Sequence, residues 1–200
     1  IWRVSPVGTE LEGITVDWLR QGLGLPNDYD GVFNDTASIS SLAALAAARQ
    51  HATGNASHSG LEAAQPLRIY VSEHAHSSIV RAAMILGLGR DAVRHIAVDE
   101  ELAMRPDALR QAVAADRHAG LLPAAIVATV GTTSTTAVDP VAAIAGVAAD
   151  EGVWLHVDAA YAGSTALIPE MRRYVAGWER ADSIVVNPHK WLFIPFDCSL

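Results

Sequence analysis

Apolar runs of strand length alternate along the chain with longer stretches of helical character. The four runs that predict β-strands are residues 67–71, 124–129, 153–158 and 183–187. Strands that alternate with helices are typical of an α/β fold, in which a mainly parallel sheet is flanked by helices. Nothing in the chain indicates an internal repeat or a domain linker, so the sequence predicts one domain.

Helical signals fill most of the intervals between these strands. Residues 10–21 form an amphipathic pattern, and Gly22 is placed to end that helix. Asp139 is predicted as the N-cap, with Pro140 as the first residue, of an alanine-rich helix over residues 141–149. Further helices are predicted over residues 42–49 and 79–86, and the Ala-, Gly-, Ser- and His-rich stretch 51–65 is predicted to be a loop.

Composition narrows the function classes. Half of the 200 residues are hydrophobic, which suffices for one sizeable core, and the formal charge of −8 argues against a nucleic-acid partner. No apolar run reaches the roughly 18 residues of a membrane span. With Cys198 as the single cysteine there is no internal disulfide, and a reducing, cytoplasmic location is expected.

A lysine and an aspartate carry the strongest chemical signal. Lys190 lies in Asn187-Pro188-His189-Lys190-Trp191, and Asp158 ends an apolar run 32 residues earlier (190 − 158 = 32). A lysine amine forms a Schiff base with pyridoxal phosphate, and an aspartate facing the pyridine nitrogen keeps that nitrogen protonated. Taken singly, Lys190 could be a surface lysine after a Pro turn, and Asp158 could be the cap of a strand. Together they indicate a cofactor site, where the apolar residues after Lys190 could favour its neutral amine.

Other readings of the polar residues find less support. His156 and Asp158 place two possible metal ligands on one side of a strand, but no third ligand stands at a recognisable spacing. We therefore predict no metal site. The Gly-x-Ser-x-Gly motif of serine hydrolases is also absent.

Three further segments suit a phosphate-bearing cofactor. Thr36-Ala37-Ser38 precedes a predicted helix whose N-terminus would favour a phosphate, although such residues often serve only as an N-cap. His76 lies in a strand-to-helix loop, where histidines are commonly capping or surface residues. Thr133 follows Gly131-Thr132 in a hydroxyl-rich turn that could equally satisfy its own backbone.

The lysine segment and these three segments, in this order, resemble the group II pyridoxal-phosphate-dependent amino acid decarboxylases, and most closely the aromatic-L-amino-acid decarboxylases. The similarity extends from about Trp2 to Leu200. It implies the large domain of fold-type-I pyridoxal-phosphate enzymes. It also implies the residues of the site. Lys190 would be the cofactor lysine, Asp158 would face the pyridine nitrogen, and Thr133 would lie near the cofactor. His76 and Ala160 would stack on opposite faces of the ring, and the phosphate would be contacted by Thr36, Ala37, Ser38, Asn187 and His189.

The resemblance implies decarboxylation of an aromatic L-amino acid to the amine and CO₂. Three alternatives stay open: an aromatic aldehyde synthase, a glutamate or diaminobutyrate decarboxylase, and a catalytically incomplete chain that binds cofactor or pairs with another subunit. We expect residues 1–200 to be a partial large domain. The N-terminal segment, the small C-terminal domain and the loop tyrosine that delivers the Cα proton would lie outside it. A homodimer is expected for the full-length protein.

Overall fold

The computed structural model describes residues 3–54, 56–61 and 65–200. Trp2, at the start of the resemblance, and residues 55 and 62–64 of the predicted loop lie outside the described residues. The rest of that loop prediction is partly wrong, because residues 51–53 continue a helix and residues 56–59 form a short one.

A five-stranded, wholly parallel sheet forms the centre of the structure, which confirms the predicted fold class. Its strands are β1 (Leu67–Ser72), β2 (Val93–Ile96), β3 (Leu122–Thr129), β4 (Trp154–Asp158) and β5 (Ser183–Val185). They lie in the order β2-β1-β3-β4-β5. Strand order therefore reverses between β1 and β3, the position at which open α/β sheets bind ligands beyond the carboxyl ends of their strands.

Seven α-helices connect or flank the strands in the described residues. They are α1 (Pro6–Leu23), α2 (Ala37–Thr53), α3 (Ala56–Ser59), α4 (Ser78–Ile85), α5 (Pro106–His118), α6 (Val141–Glu151) and α7 (Pro188–Trp191). The two faces of the sheet carry separate buried clusters. Leu109 and Ile144 of α5 and α6 belong to one, and Leu45 and Ile79 of α2 and α4 belong to the other.

The ends of α1 and α6 correct two sequence predictions. Gly24, rather than Gly22, ends α1, because it adopts the left-handed conformation at φ 72° and its N–H binds the last carbonyl groups. Asp139 does not cap α6, where Pro140 holds the N-cap position. Its carboxylate instead accepts the N–H groups of Met104 and Thr129, each at 2.7 Å, so the aspartate is buried between two neighbouring segments.

Helix α1 presents part of its apolar surface to solvent. Val7, Leu11 and Trp18 are exposed, whereas Val16 and Leu23 are buried. Within residues 3–54, 56–61 and 65–200, none of the helices is long and apolar enough to cross a membrane.

Candidate active site

One cleft gathers residues at or just beyond the carboxyl ends of four strands, together with the start of α2. Ten residues line it: Ala37, His76, Ser78, Thr129, Gly131, Thr133, Asp158, Ala160, Tyr161 and Lys190. Because parallel strands deliver their carboxyl ends to the same edge of a sheet, segments far apart in sequence meet here. Of the ten predicted site residues, Ala37, His76, Thr133, Asp158, Ala160 and Lys190 line this cleft directly.

Lys190 reaches the cleft from the one-turn helix α7, which follows β5. It is the only lysine in the sequence. Its Nζ lies 5.9 Å from the ring centroid of Tyr161, within the range of a cation–π contact. The Tyr161 ring in turn meets Trp191 edge to face, with centroids 5.6 Å apart.

The apolar surroundings of Lys190 differ from the sequence prediction. Lys190 is exposed in the described chain, and Phe193 is fully exposed. The aromatic surface beside the amine comes instead from Tyr161, which sequence analysis did not select. Its position directly after Asp158-Ala159-Ala160 was the available signal, since residues just beyond a strand end line such clefts.

Asp158 ends β4 and is 7% exposed. One carboxylate oxygen accepts the N–H of Ala160 at 3.2 Å. Within the described part of the chain, no lysine, arginine or histidine forms an ion pair with it. Burying a carboxylate without a cationic partner costs free energy. The carboxylate of Asp158 is therefore suited to bind a protonated group of a ligand.

His76 follows β1 and lines the same cleft. Its Nδ1 accepts the backbone N–H of Ser78 at 3.3 Å and lies 2.9 Å from the Ser78 hydroxyl. Because Nδ1 is an acceptor, the neutral ring carries its proton on Nε2. His76 can therefore present an N–H donor to a ligand.

The start of α2 supplies backbone donors. Thr36 is its N-cap residue, and no side-chain bond caps this end of the helix. The N–H groups of Ala37 and Ser38 lie in the first turn, where a helix offers no internal acceptor. Ala37 also contacts the cleft, so this end is suited to an anion.

A tight turn brings Thr133 to the cleft. Gly131 has φ +85°, and a Cβ there would stand 2.8 Å from Cβ of Ala162 and 2.9 Å from Cδ1 of Tyr161. Only glycine fits this close approach. Beneath the turn, the buried hydroxyl of Thr129 has no hydrogen-bond partner in the described structure.

Asn187 and His189 lie beside Lys190 but do not line the cleft. His189 Nδ1 accepts the N–H of Cys198 at 2.7 Å, so its proton is on Nε2, which lies 3.2 Å from the Asn187 amide. A protonated Nε2 needs an oxygen acceptor, which assigns Oδ1 of Asn187 to this contact. Exchanging the amide oxygen and nitrogen of Asn187 in this way leaves the –NH₂ at the buried position that has no hydrogen-bond partner among the described residues, where it is free for a ligand.

A larger cavity of about 240 Å³ lies against α1, α2 and β5, with mostly apolar walls. It contains neither Lys190 nor Asp158, so we do not assign the cofactor to it. The residues described contain no group of three or more His, Cys, Asp or Glu side chains that could hold a metal ion.

Comparison with known proteins identifies the family of the chain. The pyridoxal-dependent decarboxylase conserved domain matches residues 1–200. Aromatic-L-amino-acid decarboxylase from Bos taurus is 43% identical, covering 99% of this chain and 43% of that protein. Phenylacetaldehyde synthase from Arabidopsis thaliana is 42% identical, covering 100% of this chain and 42% of that protein. The crystal structure of Oryza sativa TDC with PLP and tryptamine superposes with a TM-score of 0.93 at 40% identity, covering 99% of this chain and 42% of that one.

The chain therefore belongs to the pyridoxal-dependent decarboxylase family. This membership confirms the predicted family and its cofactor, pyridoxal phosphate. The chain spans less than half the length of the relatives it matches.

Proposed function

We propose that the protein catalyses pyridoxal-phosphate-dependent decarboxylation of an L-amino acid, with an aromatic amino acid as substrate. One observation carries this proposal. His76 follows β1, Asp158 ends β4 and Lys190 follows β5, and yet the three side chains line a single cleft. An amine nucleophile, a carboxylate and a ring donor are the groups that this cofactor chemistry requires.

The donors and acceptors around the cleft fit the cofactor. The N–H groups at the start of α2 and the free –NH₂ of Asn187 are hydrogen-bond donors for a phosphate. Asp158 has no cationic partner in the described structure and suits a protonated ring nitrogen. We propose that Thr36 and Ser38 complete the phosphate end and that His189 holds the Asn187 amide towards it. Thr133 would lie near the cofactor, and His76 and Ala160 would face the two sides of the ring.

When bound, pyridoxal phosphate supplies a protonated ring that accepts the electron pair left by cleavage of the substrate's Cα–carboxylate bond. Lys190 Nζ would be the amine that holds the cofactor covalently, in a position that the substrate amine would take over. The carboxylate of Asp158 holds the proton on the ring nitrogen. The Nε2–H of His76 donates to the substrate carboxylate and orients it. The Tyr161 ring, which meets Trp191 edge to face, lies on one side of the Lys190 amine.

The aromatic substrate class is supported by the relatives at 42–43% identity. The test is a substrate panel with the full-length protein and added pyridoxal phosphate, in which released CO₂ is measured. We expect turnover of tyrosine, DOPA, tryptophan or phenylalanine to exceed that of glutamate and diaminobutyrate. Faster turnover of the last two would contradict the aromatic assignment, and Lys190→Ala provides the inactive control.

A second function is favoured by the similarity to phenylacetaldehyde synthase. Such an enzyme would release CO₂ but convert the remaining carbon skeleton to an aldehyde, consuming O₂ and water and releasing ammonia and hydrogen peroxide. Assays of amine, aldehyde and peroxide in the same reaction distinguish the two. Stoichiometric amine without peroxide supports decarboxylation, whereas aldehyde with equimolar peroxide supports the synthase.

We also propose that residues 1–200 are part of a larger cofactor-binding domain and that the full-length protein is a homodimer. The exposed apolar residues of α1 are consistent with further packing. Sedimentation of the full-length protein tests the dimer. A protein that binds cofactor and releases no CO₂ from any substrate in the panel would instead support the catalytically incomplete alternative.

A further inference from the structure

A buried histidine stands next to Asp158 without entering the cleft. His156 lies two residues before Asp158 on β4 and is 1% exposed. Side chains alternate along a strand, so residues 156 and 158 point to the same face of the sheet, the face that carries α2. Asp158 lines the cleft, whereas His156 borders the larger cavity behind it.

Both ring nitrogens of His156 have hydroxyl partners. Nδ1 lies 2.9 Å from Oγ of Ser183 on β5, and Nε2 lies 3.4 Å from Oγ of Ser41 on α2. Trp154 Nε1 donates to the same Ser183 oxygen at 2.9 Å. The imidazole therefore links β4 with β5 and with α2, the helix whose first turn is proposed to bind the cofactor phosphate.

Counting donors gives one self-consistent tautomer. An indole N–H can only donate, so the Ser183 oxygen accepts it and retains one hydroxyl proton, which it can donate to Nδ1 of His156. In that arrangement Nδ1 is an acceptor, and the proton of the neutral ring lies on Nε2, facing Ser41. This arrangement satisfies each donor without a charge on the ring.

The surroundings favour the neutral ring. Burial lowers the pKa of His156, and this effect exceeds the opposite influence of the Asp158 carboxylate. The other charged groups at the same cavity are Arg20 from α1 and Asp30 and Asp182 from the loops, and Asp182 is bound to the N–H of Leu155. A protonated His156 would give Asp158 a cationic partner of its own.

We propose that His156 is a positioning residue that holds β4 against α2 as a neutral, Nε2-protonated imidazole, leaving the charge of Asp158 available for the ring nitrogen of the cofactor. The inference rests on the proposed function, in which Asp158 faces that nitrogen. Ser41 lies four residues after Ala37, so the contact with His156 is one helical turn from the phosphate end of α2. The same side chain thereby fixes the carboxylate and the anion-binding helix relative to each other.

The first test reads the ring directly and needs no turnover. The protein is labelled with ¹⁵N-histidine, and the imidazole resonances of His156 are followed from pH 6 to 8, before and after addition of pyridoxal phosphate. His156→Gln assigns the signals. We expect the neutral Nε2–H pattern throughout, and an imidazolium or Nδ1–H pattern would overturn the proposal. Ser183→Ala retains the histidine and is expected to weaken its preference for the Nε2–H form.

The second test asks whether His156 acts through Asp158. His156→Gln is expected to lower kcat and weaken cofactor binding by up to about tenfold, the effect of one lost hydrogen bond. In an Asp158→Asn background the same change should leave kcat nearly unaltered, because the carboxylate charge through which His156 is proposed to act is absent. Equal effects in both backgrounds would indicate a merely structural role. His95→Gln, an exposed change on β2, is the matched control.

A failure of the proposed function would be visible separately. If no amino acid were decarboxylated, the tautomer and the cofactor dissociation constant would still be measured, and they would still decide the inference. If His156→Gln did not fold, Ser183→Ala would be carried through the same binding and kinetic comparison.

Discussion

Thr129 and Asp158 stand side by side at the carboxyl ends of β3 and β4, paired in the parallel register of the sheet. Three hydrogen bonds hold this junction. The N–H of Val130 donates to the Asp158 carbonyl at 2.9 Å, and Thr129 exchanges bonds with Asp139 through its N–H and its carbonyl. The carboxylate proposed to face the cofactor therefore projects from a fixed strand end, which is where pre-organised chemistry is best supported.

Labelling of Lys190 is the first prediction. Because no other lysine occurs in these 200 residues, reduction of the cofactor-loaded protein with borohydride should attach the pyridoxyl group at Lys190 within this segment. Peptide mass spectrometry locates the modification. Lys190→Arg should remove it while leaving the far-ultraviolet circular dichroism spectrum unchanged. A folded, cofactor-binding protein labelled only outside residues 1–200 would refute the assignment.

Substitution of Asp158 should separate binding from turnover. Asp158→Ala removes the negative charge proposed to keep the ring nitrogen protonated, so we expect kcat to fall by at least about 100-fold. Some cofactor should stay bound, because the phosphate contacts and Lys190 remain. Steady-state kinetics and equilibrium dialysis measure the two effects. A variant with a near wild-type rate would exclude Asp158 from the electron-sink role.

Gly131 should tolerate no side chain. Gly131→Ala forces a residue with a Cβ to adopt φ +85° and brings that atom within 3.0 Å of Ala162 and Tyr161. We expect a loss of about 1–3 kcal/mol in unfolding free energy from backbone strain, together with weaker cofactor binding as Tyr161 is displaced. Gly146→Ala in α6 is the control, since its added methyl meets open space and should be neutral or stabilising. Similar unfolding midpoints for both variants would contradict this account.

The sheet and most of the candidate site were predictable because their signals are local. Strands β1, β3 and β4 are predominantly apolar runs, and a parallel sheet buried on both faces requires such runs. Strand β2 was missed because its Val-Arg-His-Ile sequence is only four residues long and has two polar residues between its two apolar ones. Helix α5 was also missed, although Pro106 at its first position was a usable start signal.

Residues whose role depends on tertiary partners were harder to predict. Asp139 has the sequence context of an N-cap, but its carboxylate binds N–H groups 10 and 35 residues away. Tyr161 became a candidate only when the structure placed its ring between Gly131 and Trp191. Spacing along a chain contains no information about such contacts, which are set by how the strand ends converge.

The buried Asp139 carboxyl predicts an unusual pH dependence of stability. Burial raises its pKa to about 6, despite the two backbone N–H groups that act in the opposite direction. Because this folded-state pKa exceeds the roughly 3.9 of an unfolded aspartate, the native state binds the proton more tightly between these values. The contribution of Asp139 to stability is then fully present below about pH 4 and is lost as the pH rises through 6, by on the order of 3 kcal/mol.

Urea unfolding of the wild type and Asp139→Asn from pH 4 to 7 checks this sign. The asparagine cannot titrate, and it retains one acceptor for the two N–H groups of Thr129 and Met104, so the variant should be less stable at pH 4. The wild-type advantage should shrink as the pH rises towards 7. Glu100→Gln, at an exposed position, should show a pH profile parallel to the wild type. An advantage that grew with pH would mean that the carboxylate is stabilised as an ion, with a lowered pKa, and that its two N–H bonds outweigh its burial.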